Sequence, residues 1–479
     1  ADLSYDRIKL SLLPRVCATV DHPRLELPGA VSARAAAVAL CLELLPLLRG
    51  RLVADAVRAQ SPEIVLPIAP GDGSGLGPGL PDPRRLLARM ADAAKQIPAA
   101  AIEITGGRVD LVGPDGQGFE FRDLNLRLRR GSGDLEWSLD GESPVAGTFS
   151  SKGRLETDAL RGTSTLHVTD GRPHLLWAFF RPDAPFQVLD ARLDFQLALT
   201  LEGPERLTAA VTARAPALAL AFKRHPARLS VERCEARLEL SEKRLAVSVS
   251  EFSTLIPRAA LQFALVSDAE AHPKIGIRLQ GSGDLAGARD VVLAMLPEIP
   301  DARLTCEILR SGQISRIQAD LRGESWAELA DPRNLSIEGR LEKGRVYIPW
   351  IDLDLHGVSG DALIAGGILE GRDVKARYKG TEGENGSLRI GLSRADPVLQ
   401  LAIDARADLA DLPPLLARIV PDPAFRREVA QLQEFSGTAR GTLRLDGTHT
   451  DVAVAVQASE LDVTARHQRI AHPLRFKGG

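Results

Sequence analysis

The sequence predicts a mostly β protein, an elongated, curled antiparallel β-sheet groove built from repeats with a few amphipathic helices. Three observations carry this. Apolar and polar residues alternate with a period of two along most of the chain, the turns between alternating stretches are short and carry Gly, Asp, Pro or Asn, and strand-turn-strand units recur. Leu193, Phe195, Leu197, Leu199 and Leu201 alternate with Asp194, Gln196, Ala198 and Thr200, and similar ladders run through CEARLEL, RLAVSVS, LQFALV, IGIRLQ, LRIGL, LQLAID, DVAVAV and ELDVTA. There are on the order of 28 such segments. Parallel pairing needs a crossover of roughly a dozen residues, so connections this short predict antiparallel neighbours.

Residues 1–70 form an N-terminal β-groove segment in this reading. Residues 71–98 combine a Gly/Pro linker, within APGDGSGLGPGLP, with the amphipathic helix PDPRRLLARMADAAKQIP. Asp82 is its N-cap, Pro83 its first helical residue, and Leu86, Leu87, Met90, Ala94 and Ile97 its apolar stripe. Residues 99–300 are central β-groove repeats with short helices at 172–180 and 286–297. Residues 301–479 are C-terminal repeats with a helical insertion at 409–435, read as two helices divided at Pro421 with Asp422 capping the second.

Within the repeats, ITGGRVDLVGPDGQGFEFRDLNLRLRRGSGDL (104–135) and LEKGRVYIPWIDLDLHGVSGDAL (341–363) share GRV, a strand, a turn or bend, a further ladder and SGD. In both the apolar parity slips. Phe119 and Phe121 give way to Leu124, Leu126 and Leu128, and Val346 and Ile348 give way to Ile351, Leu353 and Leu355, which predicts a bulge or bend at each slip.

Composition narrows the function. A net charge of −3 gives no reason to expect a nucleic-acid partner, and aromatic content of 4% leaves few of the large anchors that dominate compact cores and protein interfaces. No apolar run reaches the ~18 residues of a membrane-spanning helix. The chain starts at Ala1 without Met and ends in strand-like LRFKGG, and is read as a segment with trimmed ends. Cys17, Cys41, Cys234 and Cys306 lack metal-ligand spacing. Cys17 and Cys41 flank PGAVSA on the polar sides of their strands, which leaves open a cross-strand disulfide or two separate packing residues.

The motifs that resemble sites are weak. GDGSGLGPG follows a strand and precedes a helix but matches neither G-x-G-x-x-G nor a P-loop, so it reads as a linker. Asp352, Asp354 and His356 alternate on one strand face. Neighbours there stand roughly 6.6 Å apart, too wide for all three to reach one zinc at ~2 Å, and the triple reads as a wetted sheet face. No nucleophile elbow, zinc-binding His pair or Cys/His couple selects a catalytic centre, and no metal or cofactor is expected. Trp177, Phe179 and Phe180 form the densest aromatic cluster, read as a core-covering helix with a membrane- or partner-touching segment as the alternative.

What remains is the apolar face. The few helices are too short to cover so many strands, so the sheet either folds on itself with a filled core or curls into a trough whose lining is left for a ligand. Lipid tails suit the trough: at ~0.8 kcal/mol per CH₂, a 16-carbon chain exposed to water costs about 13 kcal/mol. The expected lining includes Leu193, Phe195, Leu197, Ile337, Leu341, Val346, Ile348, Ile351, Leu353 and Leu355.

Several stretches resemble the AsmA-like family of bacterial envelope proteins, in the bridge-like lipid-transfer superfamily. IKLSLLPRVCATVDHPRLELPG and LELLPLLRGRLVADAVRAQSPEIVL are similar to the opening of that family after its membrane anchor, and the two GRV stretches resemble its repeated units. The resemblance covers the first 130 residues and 335–479. It implies a periplasmic protein, held at the inner membrane by an anchor outside this chain, that shields phospholipid acyl chains between inner and outer membranes. Outer-membrane or envelope proteins are implied as possible partners, and no catalytic residue carries over. The rival from another class is a structural β-solenoid or envelope scaffold with a filled core.

Overall fold

The computed structural model describes residues 2–12, 15–27, 31–67, 101–113, 118–131, 133–175, 186–222, 225–241, 244–268, 274–295, 300–324, 328, 334–349, 352–392, 397–420, 422–448, 451–470 and 472–479. The predicted helix at 82–97 and the aromatics Trp177, Phe179 and Phe180 lie outside them, as do Trp350 and Ile351. The chain divides into two compact units, Ala1–Glu251 and Phe252–Gly479. Both are built almost entirely of antiparallel strands, the fold class that the alternation predicts.

Unit 1 opens with β1 (Asp2–Ser4), β2 (Arg7–Ser11), β3 (Val16–Asp21), β4 (Arg24–Leu27), β5 (Val31–Arg34), β6 (Ala37–Leu42), the short helix α1 (Leu44–Leu48), β7 (Ala54–Gln60) and β8 (Glu63–Pro67). Longer strands follow: β9 (Ala101–Val112), β10 (Gly118–Arg130), β11 (Asp134–Ser143), β12 (Gly147–Glu156), β13 (Arg161–Gly171), β14 (Phe186–Glu202), β15 (Arg206–Phe222) and β16 (His225–Ser241). β17 (Arg244–Ile256) contains the division between the units.

The short strands are halves of kinked long ones. One series pairs β2–β3–β6–β7 and the other β1–β4–β5–β8, and both end on β9. His22, Ser61 and Gly106 take left-handed φ at the kinks, and His22 N–H to Ala36, Ala36 N–H to Gln60 and Ser61 N–H to Thr105 carry the ladder across (3.0, 3.0 and 2.8 Å). β7 and β8 pair with β9 in parallel, against the antiparallel expectation. The long 68–100 connection supplies the length that a crossover requires.

Cys17 and Cys41 stand directly opposite each other on β3 and β6 and form a disulfide, which settles the two open readings. They lie on the charged face, where Arg58 binds Glu103 at 2.8 Å and Asp21 accepts from Arg7 and Lys9, the latter at 2.8 Å.

Unit 2 contains β18 (Arg258–Asp268), β19 (Lys274–Asp284), α2 (Leu285–Met295), α3 (Pro300–Ile308), β20 (Leu309–Gly323), β21 (Leu335–Ile348), β22 (Leu353–Ala365), β23 (Ile368–Tyr378), β24 (Thr381–Gly391) and β25 (Val398–Asp408). A 3₁₀ turn (Leu409–Asp411) leads to α4 (Leu412–Ile419), α5 (Pro423–Ala430), β26 (Leu432–Thr448), β27 (Val452–His467) and β28 (Leu474–Gly478). α2 occupies the predicted 286–297 segment. The 409–435 insertion is two helices, and the Asp422 carboxylate accepts from Ala424 N–H at 2.7 Å as the predicted cap. β26 already begins at Leu432. α3 was not expected; its apolar residues Leu304 and Ile308 pack against Val346 and Leu309.

The two parity slips differ in kind. In 104–135 the slip is a bulge at Asp123, which takes left-handed φ where the register of β10 shifts against both neighbours. In 341–363 it is a hairpin rather than a bend, with Val346 opposite Leu355 and Ile348 opposite Leu353.

Two predictions follow from unit 1. The Cys17–Cys41 bond closes a loop of 24 residues, so Cys17→Ser/Cys41→Ser should lower the urea-unfolding free energy by about 3 kcal/mol. Hydrogen bonds from Lys9 and then Arg7 hold the Asp21 carboxyl at about 2, below its usual 3.8. A depressed carboxyl pKa stabilises the fold above the unfolded value and loses that effect as pH falls through the folded one. Amide-exchange protection of β2, corrected for intrinsic rates, should therefore weaken between about pH 4 and pH 2, and Asp21→Asn should abolish that dependence.

Candidate functional site

The apolar face of unit 2 is assembled by cross-strand register. Leu279 of β19 aligns with Ala319, Ile337, Ile364, Leu369, Ile390 and Leu399 on the next six strands. At ~4.8 Å per strand that row runs ~29 Å. A second row joins Leu388, Leu401, Leu445 and Val454 across β24 to β27. Ile348 and Leu353 pack with Leu445, with Leu401, Leu443 and Val454 around them. Four strands separate β21 from β26 in the ladder, so this contact requires unit 2 to curl its apolar face inward.

Within the curl is an apolar cavity of about 220 Å³. Leu412, Leu415 and Leu416 of α4, at helical i, i+3 and i+4, line it together with strand residues. The cavity is smaller than the ~300–1,000 Å³ of typical small-molecule pockets. Close packing extends to the backbone: a Cβ on Gly383 would stand 2.5 Å from Ile403 Cδ1.

Side-chain pairs fix α4 at both ends. At its start Asp411 binds Lys379 Nζ at 3.2 Å and accepts from Gly380 N–H at 3.1 Å. Near its end Arg418 Nη1 donates to the Asp352 carbonyl at 2.9 Å and to its carboxylate at 3.0 Å. Asp352 is thus a hairpin residue with left-handed φ, and it does not share a strand face with Asp354 and His356. The predicted one-face triple is corrected by the turn that separates it. Asp354 instead accepts from Arg345 Nε at 3.0 Å on the charged face, and that hydrogen bond holds its carboxyl below the usual carboxylate range. Tyr347 donates to Asp352 at 3.1 Å, which raises the phenol pKa, and Arg310 lies 3.7 Å over its ring.

In unit 1 the apolar face is also continuous. Leu126, Leu139, Ser151, Leu166, Leu197, Val211 and Ala236 align from β10 to β16, every one half-buried. Beside this row a Cβ on Gly153 would run into the Trp137 ring, whose Nε1–H donates to Ser151 at 3.3 Å. Phe121 and Phe149 meet edge to face at 5.9 Å. Cys234 faces Ala213 in a neighbouring row, and burial pushes its thiol pKa up, away from nucleophilic character.

The expected lining residues therefore separate. Leu193, Phe195 and Leu197 are half-buried on β14 in unit 1, between exposed Arg192, Asp194 and Gln196. In unit 2, Val346, Ile348 and Leu353 are buried, Ile337, Leu341 and Leu355 are half-buried, and Ile351 lies outside the described residues. Sequence reasoning missed Leu401, Leu443, Leu445 and the α4 leucines. The helical spacing in LPPLLARI marked an apolar stripe, but the strands opposite it depend on the curl. No family model and no curated protein matches the chain.

Proposed function

We propose that this chain is a periplasmic lipid-binding and transfer protein of AsmA-like type, shielding phospholipid acyl chains on an apolar β face between inner and outer membranes. The observation that carries the reading is the apolar row of unit 1, which crosses seven strands in register and is half-buried throughout. A row of that span is longer than one leaflet's share of a ~30 Å hydrocarbon core. It has the length and aliphatic character to replace the lipid environment of an acyl chain. The apolar cavity of unit 2 extends the same chemistry. The Cys17–Cys41 bond suits an oxidising compartment such as the periplasm, where disulfides persist. In this reading the full-length protein is anchored in the inner membrane.

A second reading, an envelope scaffold with a filled interior, has its support in unit 2, where Ile390 and Leu399 are 0% and 1% exposed. The two readings give different outcomes. Solvent extraction of purified protein followed by mass spectrometry should find bound phospholipid; a lipid-free preparation would overturn the transfer reading. Leu197→Asp, at a half-buried position, should reduce binding of a fluorescent phospholipid while leaving the far-ultraviolet circular dichroism unchanged. Leu353→Asp places a charge in the Ile348–Leu445 packing and should cost about 3–5 kcal/mol in urea unfolding.

A further inference from the structure

One surface of unit 1 is not explained by strand pairing. α1 has no buried residue: Leu44 is exposed, and Leu45 and Leu48 are 70% and 74% exposed. A five-residue helix of this kind has neither the length nor the packing that stabilises helices in water. Leu52, in the loop that returns to β7, is 78% exposed. At the same end of the strands, Leu10 of β2 is 78% exposed and Leu12, just after β2, is exposed as well.

Chain geometry makes these residues one patch. Ser11 pairs with Cys17, Cys17 with Cys41 and Cys41 with Ala56, so the turn after β2 and the α1 loop leave the sheet from one row of strand ends. Glu43 N–H donates to Val53 O at 2.9 Å and closes the base of the α1 loop, and Arg15 Nη1 binds Asp55 at 3.2 Å between the two connections. Exposed Arg49 and Arg51 adjoin the leucines, with Glu43 the other charged side chain of the loop. A leucine cluster rimmed by arginine matches a bilayer interface, in which leucines enter the acyl boundary and guanidinium groups remain with anionic headgroups.

We infer that α1, with Leu10, Leu12 and Leu52 beside it, forms a membrane-docking surface that inserts Leu45, Leu48 and Leu52 into the interface of an anionic lipid bilayer. The charge complementarity favours a lipid surface over an apolar protein partner, which would leave Arg49 and Arg51 to find carboxylates of its own. The apolar row Leu10–Ala18–Leu40–Val57 ends beside this patch, so docking places a bilayer at the border of an apolar sheet face. Docking is separable from lipid carriage: the first is read by vesicle binding, the second by extracted lipid.

The test is co-sedimentation of the full chain with vesicles of phosphatidylcholine and phosphatidylglycerol and with vesicles of phosphatidylcholine alone. The chain should bind the anionic vesicles more tightly, and added salt should weaken that binding. Leu45→Asp/Leu48→Asp should lower the partition coefficient by about a hundredfold, with thermal unfolding unchanged because neither side chain is buried. Arg49→Glu/Arg51→Glu should lower it at least about thirtyfold on anionic vesicles and little on neutral ones. Leu48→Trp keeps the apolar character and should show blue-shifted fluorescence with vesicles. Failure of the unsubstituted chain to bind, equal binding by the Leu45→Asp/Leu48→Asp variant, or self-association that this variant abolishes would overturn the inference.

Discussion

Each unit depends on the two-residue pleat of its strands being kept in phase from one strand to the next. A single uncompensated residue would turn the rest of a strand over, sending leucines to solvent and arginines inward. The strands nevertheless contain register shifts at Asp123, Asp170, Lys343, Asp373 and Asn385, each in left-handed conformation. Such a residue absorbs the additional backbone length and restores the apolar side chains to their face, and the bulge bends the strand. Asp and Asn tolerate positive φ better than most side chains, which accounts for four of the five. Keeping phase and bending are thus products of the same device.

Maintaining an apolar face creates the need to cover it, and the units differ in how this is done. Unit 2 curls until Ile348 and Leu353 reach Leu445 and packs α3 and α4 against the lining. The ion pairs of Asp411 and Arg418 at the ends of α4 each have at least one solvent-exposed partner and contribute little free energy, about 0–1 kcal/mol each. Leucine burial holds the helix down, while the pairs determine which turns it rests on. In unit 1, α1 has no buried residue, and the row from Leu126 to Ala236 stays half-buried, while Leu201 and Leu207 form a small buried cluster with Leu155, Leu160 and Leu240 around them.

Local chemistry was legible in the sequence and long-range closure was not. Alternation located the strands, Asp422 announced its cap, and the parity change after Phe121 marked a bulge. The same parity change after Ile348 marks a hairpin, because a reversal and a bulge both shift the apolar phase and only the partner strand distinguishes them. Asp352 was grouped with Asp354 and His356 by spacing, although its left-handed backbone removes it from the ladder. α3 escaped because PDARLTCEI is short and mixed in character and is positioned by Leu304 and Ile308 against distant strands. The residues opposite α4 were hidden for the same reason. Burial there is set by curl, which accumulates over several strands and leaves no signature in any one of them.

The character of the lining limits what it can discriminate. Binding pockets usually set a few fixed polar groups among apolar walls to orient a ligand. The row from Leu279 to Leu399 contains no polar side chain, and the one from Leu126 to Ala236 contains only Ser151, already engaged by Trp137. On the proposed lipid-binding reading, such a surface selects for length and apolarity and is indifferent to headgroup. On that reading, contacts that distinguish one amphiphile from another lie at the strand ends, where the apolar rows meet charged turns. Asp352 with Arg418, and Arg49 with Arg51, occupy such ends in their respective units. The proposed function thus divides selectivity and apolar shielding between different residues, and substitutions in the rows and at the ends should separate capacity from preference.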